Sequence, residues 1–208
     1  MPDPDRRRAY LLLRRRPEGA ALSDEDWGRQ HLLFERAFYA VINCSIPIIA
    51  AVNGAAFGGG CEFALCCDFI HAAETARFAL PEVRLGIMPG GGGTQTLPRA
   101  VGLARAKELI LSGKPFSAQE ALAWGMVNAV HDPAKLTAAV LDLAQVIGAN
   151  APVSVRGAKH AMNRGVDLSL ESGLAVEIEA YNQTFITQDR REGVTAFAER
   201  RSPIFRGR

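Results

Sequence analysis

Long apolar runs are missing from this chain of 208 residues. The longest, Ile46 to Val52, contains Pro47 and falls far short of the ~20 residues a helix needs to cross a bilayer, so no membrane partner is expected. The opening MPDPDRRRAY lacks the apolar core of a signal peptide. Cysteine is sparse: Cys44, Cys61, Cys66 and Cys67 sit in or beside apolar sequence, and neither they nor the four histidines follow a zinc spacing. Buried free thiols and no metal are therefore expected, which fits a reducing, cytoplasmic location. Charge of one sign is also lacking. The net charge of +2 implies no polyanionic partner, and the arginine triplets Arg6 to Arg8 and Arg14 to Arg16 lie in an irregular first segment, so nucleic acid is not an expected partner. Three catalytic or binding motifs are absent as well. No G-x-G-x-x-G follows a strand, Gly113-Lys114 runs into Pro115 where a P-loop needs Ser or Thr, and no G-x-S-x-G occurs.

What is present is a core-forming chain. Its 48% hydrophobic content and length suffice for one well-packed domain. Residues 1 to 26 are rich in Arg, Pro, Asp and Glu and show no period. From Trp27 the pattern predicts an amphipathic helix to about Asn43, then a strand from Ile46 to Val52. CEFALCCD reads as a short helix, FIHAA as a strand, and ARFALPEVRLGIMPGGGG as loop-rich sequence entering a helix near Thr94. Helices are predicted at about Leu103 to Leu111, Ser117 to Trp124, Pro133 to Asn150, Pro152 to Arg164, Leu168 to Gln188 and Arg190 to Arg201, with GMVNAV as the last strand. The alternation of strands and helices predicts an α/β fold with parallel pairing. The helix-only final third predicts an appendage that packs on itself or on another subunit.

The stretch AVNGAAFGGGCEF, Ala51 to Phe63, places three glycines between a strand and a helix. Such a turn can aim the N–H of Gly59 or Gly60 outward at the positive end of the helix dipole, where a carbonyl oxygen is stabilised as it becomes an oxyanion. Glu62 then stands in the first helical turn. Glu82 follows twenty positions later (82 − 62 = 20), behind the stiffening Pro81 and among apolar residues that would raise a carboxyl pKa. Two carboxyl groups beside a polarised carbonyl can divide acid and base duties. The residues alone also allow a plain tight turn and two ordinary glutamates.

The long string IPIIAAVNGAAFGGGCEFALCCDFIHAAETARFALPEVRLGIMPGGGGTQTLPRAVG, continued by SAQEALAWGMVNAV and DRREGVTAFAERRSPIF, resembles the crotonase, or enoyl-CoA hydratase/isomerase, family. The resemblance covers about Trp27 to the end. It implies a crotonase-like ββα spiral core over residues 27–135 and a C-terminal helical oligomerisation region over 136–208, after an atypical segment 1–26. By position, Gly59 matches the glycine whose N–H forms half of the family's oxyanion hole, and Glu62 and Glu82 match its two hydratase glutamates. The implied reaction is reversible addition of water to a trans-2-enoyl-CoA, giving a 3-hydroxyacyl-CoA. No cofactor is implied, because coenzyme A is part of the substrate. The resemblance also implies trimers paired into hexamers, with Tyr181 and Arg200 near a neighbouring subunit's coenzyme A.

The chain departs from the family at its front. Members carry an F-(C/S)-(A/S)-G-A-D-L loop that supplies the second oxyanion N–H, whereas this chain has LLLRRRPEGA, Leu11 to Ala20. Those ten residues can be encoded by bases that, read one position later, give FCSGADLKE. Residues 1 to about 21 are therefore expected to be a frame-shifted translation, or a start in the wrong frame, ahead of a truncated crotonase of weak activity. A non-catalytic assembly subunit is the rival expectation, and a methylglutaconyl-CoA hydratase-like protein with RNA binding is another. Acyl chain length and branching stay open.

Overall fold

The computed structural model describes residues 23–208, so the expectations for the frame-shifted segment and its oxyanion loop lie outside the described residues. Helix α1 (Asp24–Ile42) starts where Ser23 accepts the Asp26 N–H and three acidic residues face the helix dipole. Its one buried residue, Phe38, packs in a tilted arrangement on Phe63 of helix α2 (Gly59–Cys66), with 4.2 Å between ring centroids.

Strand β1 (Ile49–Val52) begins three residues after the predicted Ile46. Pro47 has no N–H to offer a ladder, and the Ile48 N–H is taken by the Asp68 carboxylate at 2.7 Å. Asn53-Gly54 then turns the chain into β2 (Ala55–Phe57) and on to α2. The same unit recurs: β3 (Phe69–Ala73), β4 (Arg77–Ala79), a 3₁₀ turn (Glu82–Leu85) and α3 (Gly93–Val101). Helix α4 (Leu103–Ser112), β5 (Phe116–Ser117), α5 (Ala118–Ala123) and β6 (Ala129–His131) complete the sheets. One sheet has the order β1-β3-β6, all parallel. The other has the order β2-β4-β5, with β4 and β5 antiparallel.

This topology positions the site. β2 and β4 are parallel partners, with Phe57 opposite Ala79, so the chain leaves both strands at the same edge. The segments that follow, carrying Glu62 and Glu82, start side by side. The predicted α/β fold with parallel pairing is the one observed, with β2, β4 and β5 added. These strands of two or three residues are too short to show a period.

The core lies between sheets and helices. Phe78 pairs with Phe116 across β4 and β5, their rings stacked at 5.7 Å, and Trp124 packs on Phe116 at 5.4 Å, with the Arg105 guanidinium over the Trp124 ring. Phe78, Phe116, Leu80 and Leu97 are fully buried, each contributing roughly 1.5–3 kcal/mol of transfer free energy. All four cysteines are free, but only Cys61 is fully buried.

Helix α6 (Leu136–Gly148) packs on β1, β3 and β6, whereas α7 (Pro152–Gly165) and α8 (Leu170–Phe185) pack mainly on each other. Their backbones approach closely where Gly165 faces Gly173. One buried latch ties α7 to the sheet region: Lys159 Nζ donates to Asp68 Oδ2 at 2.6 Å and to the Ile46 carbonyl at 3.0 Å. Helix α9 (Gln188–Glu199) holds the tail through the buried Asp189 carboxylate, which accepts the Arg206 and Gly207 N–H groups, both at 2.7 Å. Among the described residues no single helix is long and apolar enough to cross a membrane.

Candidate active site

The glycine turn after β2 does three things. Gly58 has φ +56°, a left-handed conformation that disfavours any side chain, and its N–H donates to the Ala79 carbonyl at 2.9 Å, pinning the turn to β4. Its carbonyl accepts the Glu62 N–H at 3.0 Å, starting α2. Gly59 and Gly60 open the helix, and among the described residues neither N–H meets an acceptor. Both are therefore free to donate to a bound group, as the expectation for the glycine run requires.

Glu62 is 3% exposed. Its Oε1 accepts the N–H of Gly91 at 2.8 Å and of Gly93 at 2.9 Å. Both glycines are sterically required: a methyl group on Gly91 would overlap the Phe38 ring, and one on Gly93 would stand 2.9 Å from Leu80 Cδ1 and 3.0 Å from Glu62 Oε1 itself. Two donors on one oxygen fix the carboxyl plane and leave Oε2 as the oxygen able to meet water or take a proton.

Glu82 is held differently. It opens the 3₁₀ turn at 8% exposure, and its Oε2 is buried with no hydrogen-bond partner among the described residues. Its Oε1 lies 3.0 Å from where a Cβ on Gly58 would stand, so a side chain on Gly58 would crowd the Glu82 carboxyl. Burial pushes the Glu82 carboxyl above its ordinary range; its own backbone N–H offsets part of that, and the nearby Glu62 pushes it further up. Glu82 thus keeps its proton to higher pH than a free carboxyl. Cys61, fully buried beside the two acids, is driven upward first by desolvation and then by Glu62 and Glu82, so it stays a thiol and offers no nucleophile.

The structure therefore brings Gly59, Glu62 and Glu82 together. Tyr181 and Arg200 stand elsewhere, on the C-terminal helices. Tyr181 is 64% exposed on α8, and Arg200 is the exposed left-handed cap of α9 at φ 56°. Among the described residues neither side chain hydrogen-bonds to the acids or the glycine turns; Tyr181 offers only its backbone carbonyl, to Thr184. Sequence reasoning missed the loop Gly90–Gly93 and Phe38. Four successive glycines are the same signal that singled out Gly58–Gly60, whereas nothing local marks Phe38 as the ring that presses the loop onto Glu62.

The chain is similar to known proteins. The chain is 48% identical over 155 residues to the short-chain-enoyl-CoA hydratase of Clostridium acetobutylicum, covering 74% of this chain and 59% of that protein. To the 2,3-dehydroadipyl-CoA hydratase of Escherichia coli it is 46% identical over 163 residues, 78% of this chain and 64% of that one. It thus spans about three fifths of the length of these curated relatives. The crystal structure of an enoyl-CoA hydratase from Bacillus anthracis superimposes with a TM-score of 0.88 at 41% identity, covering 90% of this chain and 73% of that one. The sequence profile described as enoyl-CoA hydratase/isomerase matches residues 21–208, a span that contains the glycine turn and both acids. With the profile, the relatives and the superimposed fold in agreement, the chain belongs to the enoyl-CoA hydratase/isomerase family.

Proposed function

We propose that the protein is an enoyl-CoA hydratase acting on trans-2-enoyl thioesters of coenzyme A. The observation that carries this reading is the pair of neighbouring buried carboxyl groups in unlike settings behind the glycine turn, one pinned by the Gly91 and Gly93 N–H groups and one with an orphaned oxygen and a raised pKa. The thioester carbonyl accepts the Gly59 N–H at the α2 terminus, which stabilises the enolate oxygen as charge develops there. Water on Glu62 Oε2 gives up a proton to that oxygen as its own oxygen bonds to C3. The enolate then collapses, and Glu82 delivers its proton to C2. Proton return between the two acids through solvent restores the starting state. No cofactor enters this scheme, since coenzyme A belongs to the substrate.

The non-catalytic rival loses ground because a purely structural subunit has no need of a buried carboxyl with an unpaired oxygen, which costs stability. The test is spectrophotometric hydration of crotonyl-CoA by the full chain, beside Glu62→Gln and Gly59→Pro. Each substitution is expected to lower kcat by roughly 10² or more, provided circular dichroism shows an intact fold. Undiminished turnover in a folded Gly59→Pro protein would assign the glycine run to the turn alone.

The same reading assigns the C-terminal helices to assembly. Leu170, Leu174, Ile178, Tyr181 and Phe185 recur at helical spacing along α8 and are all exposed in the single chain. A stripe of this size calls for a covering surface, and a second copy in a trimer or a hexamer supplies one. Tyr181 lies in that stripe, which fits a role at a neighbouring subunit's coenzyme A better than one in its own site; Arg200 goes with it as the finer assignment. The cytoplasm is the compartment assigned, in keeping with four free cysteines.

A further inference from the structure

The two acids are anchored by unequal means, and the difference exposes a residue without an assigned role. Glu62 has two backbone donors on its carboxyl. Glu82 has an orphaned Oε2, so hydrogen bonds at that oxygen cannot set where the carboxyl stands. The donor that acts on the carboxyl is the residue's own backbone N–H, so its position follows the backbone of the 3₁₀ turn Glu82–Leu85. That turn is gripped from one side. Arg84, two residues after Glu82, reaches across to the C-terminal end of α4 and donates from Nε at 3.3 Å and from Nη2 at 3.2 Å to the carbonyl of Ser112. A carbonyl in the last turn of a helix has no intrahelical partner and carries the negative end of the dipole, so it is a suitable acceptor for a guanidinium.

Gly113, which follows, lets the two elements meet. It has φ +60°, and a Cβ there would stand 2.9 Å from Arg84 Nε, 3.2 Å from the Pro81 Cα and 3.3 Å from Arg84 Cγ. The end of α4 thus touches the backbone on one side of Glu82 and the side chain on the other.

We infer that Arg84, clamped on the Ser112 carbonyl beside Gly113, is the positioning residue that holds Glu82 at the site. Arg84 is exposed and acts through geometry: its charge does not figure among the causes that shift the Glu82 carboxyl, which are burial, the Glu82 N–H and Glu62. With the clamp gone, the 3₁₀ turn gains freedom, the carboxyl gains water, and the proton is no longer delivered from one place. A displacement of this kind in a group that transfers a proton costs about tenfold to hundredfold in rate.

The inference rests on the hydratase reading, and the experiment separates the two. The wild-type chain, Arg84→Ala and Arg84→Lys are compared by crotonyl-CoA kinetics and by carbon-13 NMR titration of the Glu82 carboxyl, its resonance identified by its loss in Glu82→Gln. Arg84→Ala is expected to lower kcat roughly tenfold to hundredfold with KM nearly unchanged, and to move the Glu82 titration down toward the ordinary carboxyl range. Arg84→Lys, which keeps a donor for Ser112, is expected to restore most of both. A Glu82 titration unmoved in folded Arg84→Ala overturns the inference, whether kcat is unchanged or falls only with the folded fraction. If wild type hydrates nothing, the hydratase reading fails, yet the titration still decides whether Arg84 holds Glu82.

Discussion

Glu62 and Glu82 show how two identical side chains come to stand in different electrostatic settings. One oxygen of Glu62 is saturated by the Gly91 and Gly93 N–H groups, while one oxygen of Glu82 is buried against nothing polar. The consequence for Glu82 is a stability effect with a definite sign. Its folded pKa is raised, chiefly by desolvation, so its contribution to stability is fully present below the ordinary carboxyl pKa and is lost as pH rises through the folded value. Glu82→Gln carries no charge at any pH. Its unfolding free energy relative to wild type, from urea titrations at a series of pH values, is therefore expected to rise from acid toward neutral pH and then level off. A difference that stays flat with pH would mean that Glu82 is not desolvated. Both acids were legible in the sequence, from the glycine turn, the Pro81 context and the family resemblance. Their unequal anchoring was not, because it depends on Gly90–Gly93 and Phe38, which meet Glu62 only in three dimensions.

Among the elements, the regular ones were readable and the short ones were not. FIHAA is β3 from Phe69 to Ala73, a short apolar run between Asp68 and Glu74, and the predicted helix from Pro152 to about Arg164 is α7, which starts at the same proline and ends at Gly165. Strands β2, β4 and β5 are set by pairing alone, β4 being held between β2 and β5. The attachment of α7 was equally hidden. It depends on Lys159, 91 positions away from its partner Asp68 and 113 from Ile46, with the lysine side chain only 9% exposed and the aspartate 18%. Removing Lys159 leaves the largely buried Asp68 carboxylate without its counter-charge, with the Ile48 N–H still donating to it. Lys159→Met is expected to cost about 3 kcal/mol in urea unfolding, well beyond a surface substitution. A loss under ~0.5 kcal/mol would show that α7 is held by packing alone.

Over the whole molecule, the apolar stripe along α8 is exposed in the single chain, and the proposed assembly makes it the surface that a second copy covers. Ile178, 59% exposed at the middle of the stripe, is the position to test. Ile178→Glu is expected to leave the single-chain fold intact, as read by circular dichroism, and to reduce the mass measured by light scattering toward one chain. An unchanged mass would remove α8 from the interface. The central claim, that Glu82 protonates C2 of an enoyl-CoA beside Glu62, is tested most directly by crotonyl-CoA hydration measured side by side for the full chain and for Glu82→Gln. The expected result is hydration above the enzyme-free rate to 3-hydroxybutyryl-CoA in the first, lowered by roughly 10² in the second with its fold intact. Equal rates in the two proteins, or none above the enzyme-free rate in the first, would contradict it.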